Sequence, residues 1–217
     1  MGSNPTPSAT PLTPPLAPGK EAHILPQRLI VAITGASGVI YGIRMLEVLQ
    51  QRPEIETHLV MSAAARATIG AETGFAPRDV EKLASVVHPN ANIGATIASG
   101  SFETMGMIVV PCSIKTLSSI ANCYSVDLIT RAADVQLKEG RPVLLLVRET
   151  PLHRGHLRLM EMAAGQGAVI MPPVPAFYNN PQSVDDIVNH TVGRALARIG
   201  IRNELAGEWG GLGNRVI

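Results

Sequence analysis

Aromatic side chains are almost missing from this chain. Seven of its 217 residues are Phe, Tyr or Trp, namely Tyr41, Phe75, Phe102, Tyr124, Phe177, Tyr178 and Trp209. The core must therefore be aliphatic, and the adjacent pair Phe177-Tyr178 and the late Trp209 stand out. An excess of charge is missing too: the net charge is +1, with no basic stripe and no long basic run. That argues against a nucleic-acid or membrane surface. No apolar run approaches the ~20 residues of a membrane span. The N-terminus lacks the charged start and apolar block of a secretory signal. Cysteine is limited to Cys112 and Cys123, without a CxxC, which fits reduced thiols in a cytoplasmic protein. Neither a Ser-His-Asp ordering nor a Walker lysine motif occurs. His153-x-x-His156 offers two metal ligands without a third, so no metal is expected.

What is present divides in two. Residues 1–26 hold seven of the seventeen prolines, with Ser, Thr, Ala and Gly between them and no Arg. Such a segment buries too little apolar surface to offset its ordering entropy and is expected to be disordered or polyproline-like, and the missing Arg argues against a transit peptide. From residue 27 to 201, short apolar runs alternate with helical patterns. The strand candidates are Arg28–Thr34, Glu56–Met61, Met107–Pro111, Pro142–Val147 and Ala168–Met171, with Val86-Val87 weaker. They are rich in Val, Ile and Leu and alternate little, as parallel strands covered on both faces do. Helices are expected over Gly38–Gln51, Ser62–Thr73, Ser113–Ala121, Val126–Glu139, Gly155–Gly165 and Val184–Ile199. The alternation means an α/β fold: a doubly wound, mostly parallel sheet in a flavodoxin-like or Rossmann-like three-layer sandwich. In the last helix Ser183 is the N-cap, Val184, Ile187, Val188, Val192, Ala195, Leu196 and Ile199 form the apolar stripe, and Arg194 falls on the opposite side. Residues 202–217 form a tail expected to serve the site or subunit contacts.

Ligands of an open parallel sheet sit outside the carboxyl ends of its strands. Thr34-Gly35-Ala36-Ser37-Gly38 follows the first strand and opens the first helix, where free N–H groups can receive an anion. Its spacing is not G-x-G-x-x-G, and the second strand ends Val60-Met61-Ser62 without an acid to hold an adenine ribose. Both points count against NAD and favour a mononucleotide phosphate or a flavin. Pro111-Cys112-Ser113 closes another strand, where Ser113 is a natural helix cap. Arg131, Lys138, Arg148 and Arg194 are the cations singled out for a phosphate. Surface pairing accounts for Arg131 with Asp134, and the helix macrodipole for Lys138. Arg148-Glu149, directly after a buried strand and held by Pro151, is poorly explained by packing. Glu72, by its place at the end of the second helix, reads as an exposed helix glutamate.

From Arg28 to about Ile201 the chain resembles the UbiX-type flavin prenyltransferases. The resemblance runs through Ile33-Thr34-Gly35-Ala36-Ser37-Gly38, Ala98-Ser99-Gly100-Ser101-Phe102 and Pro111-Cys112-Ser113-Ile114-Lys115-Thr116-Leu117-Ser118. It continues through Arg131-Ala132-Ala133-Asp134-Val135, Leu137-Lys138-Glu139, Arg148-Glu149-Thr150-Pro151-Leu152-His153 and Met171-Pro172-Pro173-Val174-Pro175-Ala176-Phe177-Tyr178. It implies a homo-dodecamer that binds FMN and moves a dimethylallyl group from dimethylallyl phosphate to N5 and C6 of the reduced flavin. The product, prenylated FMN, would serve a UbiD-type decarboxylase. By the same resemblance Ser37 lies near the phosphate and the reaction centre, Glu72 handles a proton, and Lys138, Tyr178 and Arg194 bind the allyl phosphate. Arg131, Arg148 and Glu149 complete the site from neighbouring subunits, with Glu149 and Tyr178 among the catalytic groups. Gly35, Ala36, Ser62, Ser99, Ser113 and Thr116 fall in the flavin-binding set with Arg148. Departures from the family pattern are Ile93, Gly140 and Glu208. An FMN-dependent cysteine decarboxylase is the nearest alternative, but its Pro-x-Met-Asn-x-x-Met-Trp signature is absent. A non-catalytic FMN-binding subunit need not keep the whole residue set.

Overall fold

The computed structural model of the protein describes residues 27–207. The proline-rich leader, Glu208 and Trp209 lie outside the described residues. Six strands form one sheet: β1 (Gln27–Ile33), β2 (Ile55–Met61), β3 (Val86–Pro89), β4 (Gly106–Cys112), β5 (Val143–Val147) and β6 (Val169–Ile170). Their order is β3-β2-β1-β4-β5-β6 and every pairing is parallel. The sheet is thus wholly rather than mostly parallel, with the strand order of dinucleotide-binding α/β folds. All seven residues of β4 and all five of β5 are buried, which is why those runs are apolar without alternation. Pro111 is tolerated in the central strand β4 because the β4–β5 register shifts between Val109 and Cys112.

The helices are α1 (Val39–Gln50), α2 (Ala63–Glu72), α3 (Pro77–Glu81), α4 (Ile114–Ala121), α5 (Leu128–Lys138), α6 (Arg154–Gly165) and α7 (Val184–Arg198). One apolar layer joins α1, α2, α3 and α7 to Leu29, Val31, Ile33 and Leu59 of the sheet. A second joins α4, α5 and α6 to Ile30, Ala32, Val109 and Leu145 on the other face. Each fully buried Leu, Ile or Val stabilises such a layer by about 1.5–3 kcal/mol, so the sheet is held from both sides.

The expected elements lie within about two residues of the observed ones, the usual scatter of helix and strand ends. Two short pieces escaped the sequence pattern: α3 and a 3₁₀ turn at Thr96–Ala98. Elements of five and three residues carry no periodic stripe to read. The stripe of α7 also needs a correction. Val188, Val192, Ala195, Leu196 and Ile199 are buried, but Val184 is 75% exposed because it is the first residue of the helix, beyond the edge of the layer. Ser183 caps α7 in a reciprocal box with Asp186, as its sequence announces. The tail starts by folding back on α7: the Asn203 side chain donates to the Gly193 carbonyl at 3.0 Å.

Candidate active site

The direction of winding reverses between β1 and β4, and the crevice outside the carboxyl ends of these strands is where an open α/β sheet binds ligands. Thr34 ties the two strand ends together there. Its hydroxyl donates to the Pro111 carbonyl at 2.7 Å and accepts the Ser113 amide at 2.8 Å. Helices α1, α2 and α4 are among those that begin on this edge. Ser62 caps α2 by accepting from the Ala65 amide, and Ser113 caps α4 by accepting from the Thr116 amide. Helix α1 has no side-chain cap. Its N-cap is Gly38, at φ 96°, a left-handed conformation that a side chain would oppose.

The missing cap comes from far along the chain. Glu72, the last residue of α2, accepts the Gly38 amide at 2.8 Å through Oε2. Burial alone would raise this carboxyl. Hydrogen bonds from the Ser37 hydroxyl and the Gly38 and Val39 amides, together with the nearby Arg148 charge, hold it below the usual carboxylate value instead. Glu72 is exposed, as its helical position suggested, but its carboxylate is not idle. It is an ionised carboxylate fixed on the positive end of α1. Arg148 stands just after β5, its backbone amide bonded to the Cys112 carbonyl at 3.1 Å. Ser37, Glu72 and Arg148 thus meet within one protomer. Neighbouring Glu149 is exposed and accepts the Thr150 amide at 2.9 Å.

A second group lies between β6 and α7. The Tyr178 hydroxyl is 3.1 Å from Nε2 of His190 on α7, with the rings edge to face. Arg194 is exposed one turn further along α7, and its charge reaches His190.

A third group sits at the opposite, amino-terminal edge. Lys138 ends α5 and pairs with Glu139, and this pair lies against Gly100 in the loop that precedes β4. Ser99 and Ser101 share a hydroxyl contact at 2.9 Å in that loop. Arg141 clamps the loop with bonds to the carbonyls of Phe102 (2.9 Å) and Gly100 (2.7 Å), while Arg28 at the start of β1 covers the Phe102 ring at 4.4 Å. A seven-residue strand spans roughly 20 Å, so Lys138 and Ser99 stand about a full strand length from Ser37. The sequence reading grouped Lys138 with Tyr178 and Arg194; the structure separates them. Arg131 pairs with Asp134 at 2.9 Å on α5, the surface partner expected for it. The His153 and His156 rings lie against each other tilted by 33°, with His153 accepting the Gly155 amide as the cap of α6. Among the described residues no third metal ligand joins them.

The sequence reading overlooked Thr34 as the strand tie, Arg141 as the loop clamp and His190 beside Tyr178. Only His190 carried a usable signal, four residues before Arg194 and therefore one helical turn away.

The fold and this crevice define a flavoprotein-type α/β subunit, and the family model described as Flavoprotein matches residues 19–196. The flavin prenyltransferase UbiX of Escherichia coli K12 is 59% identical over 187 residues, covering 85% of this chain and 99% of that relative. A dodecameric FMN-dependent UbiX-like decarboxylase from Escherichia coli O157:H7 superposes with a TM-score of 0.83 at 49% identity, covering 85% of this chain and all of that one. The structure of AnUbiX (PadA1) in complex with FMN and dimethylallyl pyrophosphate also gives 0.83, at 48% identity, covering 85% of this chain and 98% of that one. This chain belongs to the UbiX-type flavin prenyltransferase family.

Proposed function

We propose that the protein transfers a dimethylallyl group from dimethylallyl phosphate to reduced FMN, forming bonds at N5 and C6, and that the prenylated FMN passes to a UbiD-type decarboxylase. The observation that carries this reading is the Ser37–Glu72–Arg148 joint at the switch point of a chain 59% identical to a flavin prenyltransferase.

The crevice suits an FMN by its donors. The amides that open α1 already hold one anionic group, the Glu72 carboxylate, and the hydroxyls and amides of Ser62, Ser113 and Thr116 lie on the same edge. Gly35, Ala36, Ser37, Ser62, Ser113, Thr116 and Arg148 would hold the flavin, with Ser99 supplied by another copy. The reduced flavin supplies the nucleophilic nitrogen and carbon. The chain's residues then have two tasks. One is to stabilise the departing phosphate as the allylic carbon–oxygen bond breaks, for which Tyr178, Arg194, Arg131 and Lys138 are suited. The other is to take the C6 proton, for which Glu72 is available because its neighbours keep it ionised. Glu149, exposed beside Arg148, completes the charged rim.

Lys138 can reach the same chemistry only from a neighbouring copy, given the strand length that separates it from Ser37. The exposed apolar side chains Tyr124, Leu157, Val174, Phe177 and Val184 are further support for a homo-oligomer, and we take the dodecamer as its form. No described helix is long and apolar enough to cross a membrane. Cys112 and Cys123 are unpaired thiols, in keeping with a cytoplasmic site of action.

Incubating the protein with FMN, a reductant and dimethylallyl phosphate should add one C5 unit to the flavin, read by mass spectrometry. Recovery of unmodified FMN alone would remove the assignment. Arg194→Ala should raise KM for dimethylallyl phosphate by about tenfold, the range of a charge-assisted hydrogen bond, with FMN affinity unchanged. An unaltered KM would return Arg194 to the solvent.

A further inference from the structure

The loop that carries Ser99 is irregular. It runs from the 3₁₀ turn at Thr96–Ala98 to the start of β4, and Ser99 and Ser101 on it are exposed. Its turn is closed by a long bond, from the Phe102 amide to the Ser99 carbonyl at 3.2 Å. Lys138 is exposed beside it: a methyl group on Gly100 would come within 3.0 Å of the lysine nitrogen. Two side chains expected to serve a neighbouring copy thus stand together, on a surface that needs bracing from behind.

Arg141 supplies the brace. Helix α5 ends in a glycine stop. Gly140 takes φ 67°, its amide donates to the Leu137 carbonyl at 3.0 Å, and the Arg141 amide donates to the Gln136 carbonyl at 2.8 Å. This turn fixes the Arg141 backbone to the helix that carries Lys138. From there the half-buried guanidinium reaches back to the loop. Its Nη1 donates to the Phe102 carbonyl at 2.9 Å and its Nη2 to the Gly100 carbonyl at 2.7 Å. A planar fork on two oxygens sets a direction as well as a distance, which a lysine ammonium does not. Phe102 is also backed from its ring side. Arg28 covers the ring at 4.4 Å, and the His58 ring meets it edge-on at 5.1 Å. Glu56 holds both of these partners, at 3.4 Å from Arg28 and 2.7 Å from His58.

We propose that Arg141 is a positioning residue for Ser99: it locks the Ser99 loop to the end of α5, so that Ser99 and Lys138 enter the neighbouring crevice in one fixed arrangement. This rests on the reading above, in which another copy supplies Ser99 to the flavin. The Ser99 hydroxyl is shared with Ser101 at 2.9 Å. Whichever of the two donates, the Ser99 oxygen keeps a further hydrogen-bonding role for a ligand. Arg141 acts on that ligand only through the loop.

Arg141→Met removes the fork. It should raise the Kd for FMN about five- to tenfold, the scale of one hydrogen bond, and match Ser99→Ala in size. In a Ser99→Ala background Arg141→Met should add less than about twofold, because both act through one contact. Arg141→Lys keeps the charge without the fork, so it should bind FMN at least about threefold more weakly than the wild type. Flavin-fluorescence titration reads each value. Additive losses, or wild-type affinity in either Arg141 variant beside a weakened Ser99→Ala, would overturn the proposal. A ligand-free measurement separates it from the wider reading. Hydrogen exchange at the Phe102 amide should quicken about tenfold in Arg141→Met and stay near the wild-type rate in Ser99→Ala. Unchanged protection in Arg141→Met sinks the clamp whatever the flavin does. Quickened exchange there, with wild-type FMN affinity in Ser99→Ala, would instead take Ser99 out of the flavin site and remove the reading on which the clamp's role stands.

Discussion

Glu72→Gln is expected to slow product formation by about 10²–10³-fold, the range for losing a positioned general base, while the Kd for FMN changes less than about threefold. Gln keeps an oxygen for the Gly38 amide, so the cap of α1 survives and the base does not. Rapid-quench product analysis beside a flavin-fluorescence titration reads both quantities. Equal losses in rate and affinity would make Glu72 a structural cap. The pH dependence gives a second check. The Glu72 value is depressed below 4.5 in the folded protein, so its ionised contact contributes at neutral pH and is lost as pH falls through that depressed value. Acid unfolding of Glu72→Gln should lack this contribution.

Gly35→Ala is expected to be the more damaging change, with activity falling to about 1% or less and stability by about 1–3 kcal/mol, the cost of overpacking. A methyl group on Gly35 would overlap the Ala64 methyl in the first turn of α2 and come within 3.2 Å of that residue's carbonyl carbon. The turn that presents Ser37 and the helix that presents Glu72 would have to separate, which misplaces the two groups that the site needs together. Adding Ala64→Gly removes the overlapping methyl and should restore most of the activity, at up to about 1 kcal/mol of helix propensity. Thermal unfolding and turnover of the single and double variants decide it. A Gly35→Ala protein with wild-type values would show that this approach carries no constraint.

The fold was legible because its signals are local. Unalternating runs such as Val143–Val147 name strands covered on both faces, and Ser183, Ser113 and Ser62 mark helix starts by chemistry that needs no tertiary context. Much of the site was not local. The carboxylate that caps α1 comes from 34 residues further along the chain, a pairing that no helical period or spacing encodes. Glu72 therefore read as an ordinary surface glutamate until the resemblance to a family assigned it a role. Lys138 shows the converse difficulty. Its motif was recognisable, but motif order along a chain says nothing about which edge of a sheet a residue occupies. That depends on α5 running back to the amino-terminal edge before β5 begins. His190 was hidden among the buried positions of α7, where a histidine reads as filler.

The strand length between Lys138 and Ser37 has a consequence for how the gene product experiences damage. If Lys138 serves a neighbouring copy, as proposed, a protomer that loses it would keep its own crevice whole and spoil the one next door. A protomer that loses Ser37 would still lend a sound lysine outward. Lesions at the two ends of the sheet would thus be borne by different molecules, and two defective sequences sharing one particle could between them assemble an intact reaction centre that neither could form alone.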